Sequence, residues 1–276
     1  MRSIIKKFRL TGFFSEHYSI FFRLKKVIIF FLKGLTFNKG INKQIGNDKK
    51  KYKFDYNFIF ASYKDWGTNH NEGFSKLLEL SKGSKTVFDI GAHIGLCSLP
   101  ISRVIHQDGI IYAFEPSIAN LRYLKKNIEL NKLKNVKVVP NLVGEKSDIS
   151  IPFYESYNAS GMNSLVSYKN NGTYKKEYKD QISIDDFCNN NNLNPDIIKI
   201  DVEGAEINVL KGLRNTAAQS KPKIILSAHP RQLKMLGQTV EELLSVIDEL
   251  GYKVFSISEE SVKELVLSEY LLIPSN

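Results

Sequence analysis

Between residues 84 and 258, short apolar runs alternate with amphipathic stretches of helical period, and this rhythm constrains the fold more than any other feature. Thr86–Ile90 and Ile110–Phe114 read as buried strands, with a helix expected over 94–106 between them. A helix over Ile118–Leu130 follows, with Leu121, Leu124 and Ile128 on one face, then a strand at Val136–Val139. Strands at 196–200 and 223–227 flank a helix over 206–213. A helix over 240–250 carries Thr239 as N-cap, Glu242 three residues on, and Gly251 at its end. Strands at 253–257 and 270–273 finish the pattern. Strand–helix alternation implies a doubly wound, mostly parallel sheet covered on both faces. Ligands of such sheets bind outside the carboxyl ends of the strands. Function is therefore sought at Asp89 and Gly91, Glu115, Asn141, Asp201 and His229, which stand at those ends.

Residues 144–194 break the rhythm. They are polar and rich in Asn, Tyr and Lys, with alternation over 149–153, and read as an insert holding a hairpin and a mobile part. Within it, 158–165 is dense in hydroxyl and amide groups and is followed by Tyr168, Tyr174 and Tyr178. Such a set suits a carbohydrate or, equally, a solvated loop.

Charge is unevenly spread. Residues 1–53 hold fourteen Lys and Arg against Glu16 and Asp48, a surplus of +12; the other 223 residues hold 25 basic and 27 acidic groups. The basicity belongs to an N-terminal arm, so a nucleic-acid-binding body is not indicated. Arg23, Lys25 and Lys26 interrupt the arm's apolar segment. The longest uncharged apolar run, 27–32, is six residues, against roughly 20 for a membrane-spanning helix. No secretory signal pattern is evident. Three readings of 1–37 stay open: a helix packed on the body, a peripheral contact with an anionic membrane, or a nucleic-acid contact. Residues 38–53 read as a polar linker, so the expected division is an extension over 1–53 and a domain over 54–276. Cys97 and Cys188 are the only cysteines. They exclude a disulfide scaffold and an all-cysteine zinc site, and fit a cytoplasmic location.

The strand ends carry the chemistry. After the first strand comes Asp89-Ile-Gly-Ala-His-Ile-Gly95, where a dinucleotide fingerprint would have glycine in place of Asp89. A carboxylate there repels a pyrophosphate and suits a cationic or amino-bearing ligand. Glu115, before Pro116 and 26 residues after Asp89, can accept both hydroxyls of a ribose. Asp201, Glu203 and Glu206 open a helix after the fourth strand, and favourable contact with its dipole explains one or two of them. His229 precedes Pro230, which holds it extended at a strand end. It can serve as base or acceptor-orienting group, as a structural histidine, or as a metal ligand. His93 is the other histidine at the expected rim. The spacing of Asp201, Glu203 and His229 matches no metal signature, and no metal is expected.

Together, 87–95, 113–116 and 199–206 resemble the FkbM-type family of S-adenosylmethionine-dependent methyltransferases over roughly residues 84–258. The resemblance implies a class I methyltransferase fold: seven strands, the last antiparallel. It implies S-adenosylmethionine as donor and O-methylation, commonly of sugars or polyketide-type products. By matched position, Asp89, Gly91 and Gly95 would line the methionine side of the donor and Glu115 its ribose, with Ala92 and Pro116 as further donor-binding positions. Asn141 and Asp201 would lie near the adenine edge and the transferred methyl. His229, Asp201 and Glu203 are the expected catalytic groups, and a glycan or glycolipid hydroxyl is the expected acceptor. The alternatives are a Rossmann-type nucleotide-binding oxidoreductase and a non-catalytic membrane or RNA adaptor.

Overall fold

The computed structural model describes residues 18–68, 71–165 and 174–275. In chain order the elements are α1 (Tyr18–Leu35), β1 (Ile41–Gln44), β2 (Lys51–Phe54), α2 (Phe74–Ser81), β3 (Thr86–Ile90), α3 (Ser98–Ile101), β4 (Ile110–Phe114), α4 (Ile118–Leu130), β5 (Val136–Val139) and β6 (Leu142–Val143). Then come β7 (Asp148–Ser156), β8 (Tyr174–Ile182), α5 (Ile184–Asn191), β9 (Ile197–Ile200), α6 (Glu206–Lys211), α7 (Arg214–Ser220), β10 (Lys223–Ala228), α8 (Pro230–Met235), α9 (Val240–Glu249), β11 (Tyr252–Ser256) and β12 (Ser268–Pro274).

The main sheet has seven strands in the order β11-β12-β10-β9-β3-β4-β5. β12 runs antiparallel to both β10 and β11, while β10, β9, β3, β4 and β5 are mutually parallel. This is the class I methyltransferase arrangement the motifs imply. The chain winds outward from β3 through β4 to β5, then returns to β9 on the other side of β3. That reversal opens a crevice at the carboxyl ends of β3 and β9.

The sheet is buried because its side chains alternate between two apolar layers. Phe88 and Ile90 face a core with Phe114, Ile198, Ile200 and the helices α5, α6 and α9. Phe88, Tyr112, Phe114 and Phe187 meet edge-to-face there, with centroids 4.9–5.7 Å apart. Val87, Ile111 and Ile197 face the opposite layer, which α2, α3 and α4 cover.

Two expectations are corrected. Residues 38–53 are not a linker: β1 and β2 form an antiparallel hairpin, and Tyr52 and Phe54 belong to the second core layer. The alternation Lys51-Tyr-Lys-Phe54 turns its aromatics inward and its lysines out. The helix over 94–106 shrinks to the four residues of α3, flanked by turns. Pro100 has no N–H and cannot sustain a longer hydrogen-bond ladder. Elsewhere, α9 begins with the expected capping box of Thr239 and Glu242, and Gly251 follows at φ +75°.

The insert forms a second sheet, order β6-β8-β7, in which β7 and β8 are the expected hairpin. Tyr168 and part of the expected mobile region lie outside the described residues.

Candidate functional site

At the carboxyl ends of β3, β4, β9 and β10 lies a cavity of about 700 Å³, within the range of small-molecule sites. Gly91, Ala92, Glu115, Pro116, Asn141, Asp201, Glu203 and His229 all line it. Asp89 and Gly95 do not.

Gly91 allows the first turn. Its φ is +81°, and an added Cβ would lie 1.9 Å from the Asp201 carbonyl oxygen. The backbone therefore passes close against β9, which only glycine permits. Glu115 fastens this turn to the tip of β4: Oε2 accepts from the His93 backbone N–H at 2.8 Å and Oε1 from Ser117 at 2.9 Å. Burial pushes its carboxyl up to about 7, against the lowering effect of Ser117, Asn120 and His93. With its donors at Ser117, His93 and Asn120 the carboxylate keeps acceptor capacity for a ligand hydroxyl. His93 is left-handed at φ +52°, its Nε2 is buried without a partner, and burial depresses its imidazole to about 4.

Asp89 differs from expectation. Alternation along β3 turns it away from the cavity, and it is fully buried. Oδ2 accepts from Ser98 Oγ, while Oδ1 lies 3.3 Å from Lys199 Nζ, an ion pair without hydrogen-bond geometry. Gly95, at φ +94°, instead makes room for Leu124. Lys199 is the partner that sequence reasoning passed over. It sits beside Asp89 in the β3–β9 register, also reaching Asp201 Oδ2 at 3.5 Å and the Gly91 carbonyl at 3.2 Å. Burial disfavours its charge, but Asp201 and Asp89 outweigh that and hold the ammonium well above its ordinary value.

The opposite wall gathers the residues expected to be catalytic. His229 Nδ1 is 2.7 Å from Glu206 Oε1, and its Nε2 is 3.7 Å from Asp201 Oδ1 and 3.8 Å from Glu203 Oε1. Burial works against protonation, but the Glu206 hydrogen bond and the charges of Asp201, Glu206 and Glu203 push the imidazole up to about 9. Glu203 is itself left-handed at φ +52° and accepts from Gln232 Nε2 at 2.9 Å. Burial raises its carboxyl. Two strained non-glycine residues, His93 and Glu203, thus face one cavity, as is common at functional sites. One ligand atom from each of Asp201, Glu203 and His229 lies within 4.8 Å of the others, a spacing a divalent ion could bridge.

Other contributors were not legible in the sequence. Trp66, Asn71, Glu72 and Glu269 line the cavity from segments outside the strand-tip motifs. The Trp66 indole N–H is buried without a partner. Asn120 clamps the insert with two hydrogen bonds to the Ser160 backbone, 2.9 and 3.0 Å, and Ser164 Oγ donates to the Glu203 carbonyl at 2.9 Å. Ser160 to Asn163 thereby line the cavity, whereas Tyr174 and Tyr178 stay on β8 outside it.

Comparisons with known proteins place the chain in a family. The sequence model described as Methyltransferase FkbM domain matches residues 89–254. The chain is 28% identical over 144 residues to "Methyltransferase 1" of Beauveria bassiana, covering 46% of this chain and 57% of that protein. It is 29% identical over 158 residues to "Hexuronic acid methyltransferase AglP" of Haloferax volcanii, covering 55% and 59%. The chain thus spans less than two thirds of these relatives' length. The solved methyltransferase FkbM of Methylobacillus flagellatus aligns with TM-score 0.45 at 21% identity, over 70% of this chain and 44% of that one. Methyltransferases of this family take their methyl group from S-adenosylmethionine, and the residues here fit that donor: a glycine turn without room for a Cβ, and a buried carboxylate at the neighbouring strand tip. With the domain match spanning more than half its length, the chain belongs to the FkbM family of methyltransferases.

Proposed function

We propose that this methyltransferase acts in the cytoplasm on oxygen, methylating a hydroxyl of a sugar, glycan or glycolipid. The observation that carries this reading is His229, held by Glu206 at Nδ1 with Nε2 turned toward Asp201 and Glu203 on the cavity wall. S-adenosylmethionine, when bound, supplies a methyl carbon made electrophilic by its sulfonium. Glu115 and Pro116 would hold the ribose, the backbone of Gly91 and Ala92 the methionine end, and Asn141 the adenine edge. Asp89 acts from behind the wall through Lys199 instead of touching the donor.

A sugar hydroxyl is a weak nucleophile and needs a proton acceptor beside it. His229 Nε2 takes that proton while Nδ1–H donates to Glu206, which fixes the tautomer. Asp201 and Glu203 stabilise the imidazolium that forms. Trp66, Asn71 and Glu72 before α2 and Ser160 to Asn163 of the clamped insert line further parts of the cavity, where an acceptor would sit. The acceptor class is supported by the amide and hydroxyl groups of Ser160 and Asn163, by the free indole N–H of Trp66, and by the sugar named in the Haloferax relative's description. Glu72, Glu115, Asp201, Glu203 and Glu269 outnumber Lys199 and His229 around the cavity, which favours an uncharged sugar over one bearing a carboxylate.

The test is transfer of labelled methyl to a panel of hexosides, hexuronates and total glycan and lipid extracts. Label recovered as a base-stable methyl ether on a neutral sugar is expected. Label on nitrogen overturns O-methylation, and label released by mild base as a methyl ester overturns the hydroxyl acceptor. Absence of both donor binding and transfer would favour the adaptor reading. Loss of activity in a chelator, restored by magnesium or manganese, would instead assign Asp201, Glu203 and His229 to a divalent ion.

A further inference from the structure

We propose that α1 docks the protein on an anionic lipid bilayer, lying along the headgroup region with one apolar face turned into it. The helix has two dissimilar sides. One is fastened to the body: Ile29 is buried, Lys33 Nζ lies 3.4 Å from Asp55, and Thr36 bonds the Tyr56 hydroxyl. The other carries Leu24, Val27, Ile28, Phe31 and Leu35, spaced three and four residues apart so that they form one stripe. Each is at least 43% exposed, and Phe30 beside them and Phe37 beyond the helix are 74% and 84% exposed. A contiguous apolar stripe of this kind marks a surface that something covers.

The charge around the stripe identifies the cover. Besides the body-facing Lys33, α1 contains Arg23, Lys25 and Lys26 and no acidic residue, and Lys39 follows beside Phe37. By sequence, residues 1–53 carry a surplus of +12, while the remaining chain is close to neutral. Aromatic bulk framed by cations matches lipid phosphates above acyl chains, the pattern of an interfacial helix. A second copy of the same face would bring like charges together. Among the described residues no helix is long and apolar enough to cross a membrane, so α1 lies on the bilayer. Docking would place a methyltransferase of lipid-carried sugars beside its acceptor, although the binding itself does not depend on that activity.

The test uses the full chain and sedimentation with vesicles of phosphatidylcholine alone or with about 30% phosphatidylglycerol. Expected is co-sedimentation with the anionic vesicles only, released at about 0.5 M salt. Phe30→Ser with Phe31→Ser is expected to lower the partition about tenfold or more. Arg23→Gln with Lys39→Gln is expected to lower it on anionic vesicles, both variants keeping the parent's thermal midpoint. Independently, Phe31→Trp is expected to show a blue-shifted emission with anionic vesicles. Equal partition of the parent and the phenylalanine variant, equal partition on both vesicle types, or no emission shift overturns the proposal. So does a parent dimer that the phenylalanine variant turns into a monomer, which would assign the stripe to a second copy.

Discussion

Lys199 and Asp89 stand side by side in the register of β9 and β3, with Nζ 3.3 Å from Oδ1, both almost wholly buried. The pair ties the two strands that flank the crevice, and Lys199 extends the tie to Asp201 and to the carbonyl of Gly91. A carboxylate that the motif suggests as a ligand for the donor is thus satisfied from within the sheet.

Removing one member of that pair leaves the other charged and unpaired. Lys199→Met is expected to cost about 3–5 kcal/mol of stability, measured by urea unfolding. Adding Asp89→Asn to it should recover a substantial part, because the stranded charge is gone. Losses that simply add would show that the two residues are not coupled.

The imidazole of His229, raised to about 9, is mostly protonated at neutral pH and cannot accept a proton in that form. The rate of the chemical step is therefore expected to rise by up to about tenfold per pH unit until it levels near 9. Glu206→Gln removes the charge that favours imidazolium, so the inflection should move to lower pH, with a rate loss of roughly tenfold to a hundredfold. His229→Gln should abolish the inflection. A pH profile unchanged in both variants would rule His229 out as the proton acceptor.

Glu115, raised to about 7 by burial, is protonated below that value and then keeps fewer acceptor sites for a ribose. Donor affinity measured by calorimetry should fall as the pH drops below about 7, and Glu115→Gln should remove that dependence along with roughly 1.5–3 kcal/mol of binding. The raised value also has a stability consequence. The folded state holds the proton more tightly than the unfolded chain, so the group's contribution is present at low pH and is lost as pH rises through about 7. Glu115→Gln is therefore expected to be more stable than the parent at pH 8 while binding the donor more weakly.

Gly91→Ala places a Cβ against the Asp201 carbonyl in a left-handed conformation. A loss of about 2 kcal/mol or more is expected, read as a lower thermal midpoint, together with weakened donor binding. An unchanged midpoint would show that the turn relaxes freely.

Strands β3, β4, β9 and β10 announce themselves in the sequence as apolar runs, and the capping box at Thr239 and Glu242 is a local signal formed by residues three apart. The tips bearing Glu115, Asp201 and His229 follow, because a parallel sheet places the carboxyl ends of its strands together. The hairpin at 41–54 also leaves a trace, the alternation in Lys51-Tyr-Lys-Phe54, but the density of lysine conceals it.

What the sequence determined by itself is therefore local: which segments are strands, which faces are apolar, and which chemistry waits at each strand end. Periodicity reports burial within one element, and capping reports contacts a few residues apart. Only the tertiary structure decided that Asp89 meets Lys199 across 110 positions, that Asn120 holds the insert at Ser160, and that Trp66 joins the cavity. Those contacts depend on strand order and on how distant segments stack against the sheet. No local pattern encodes either one, because the energy that selects them comes from burying all the elements at once.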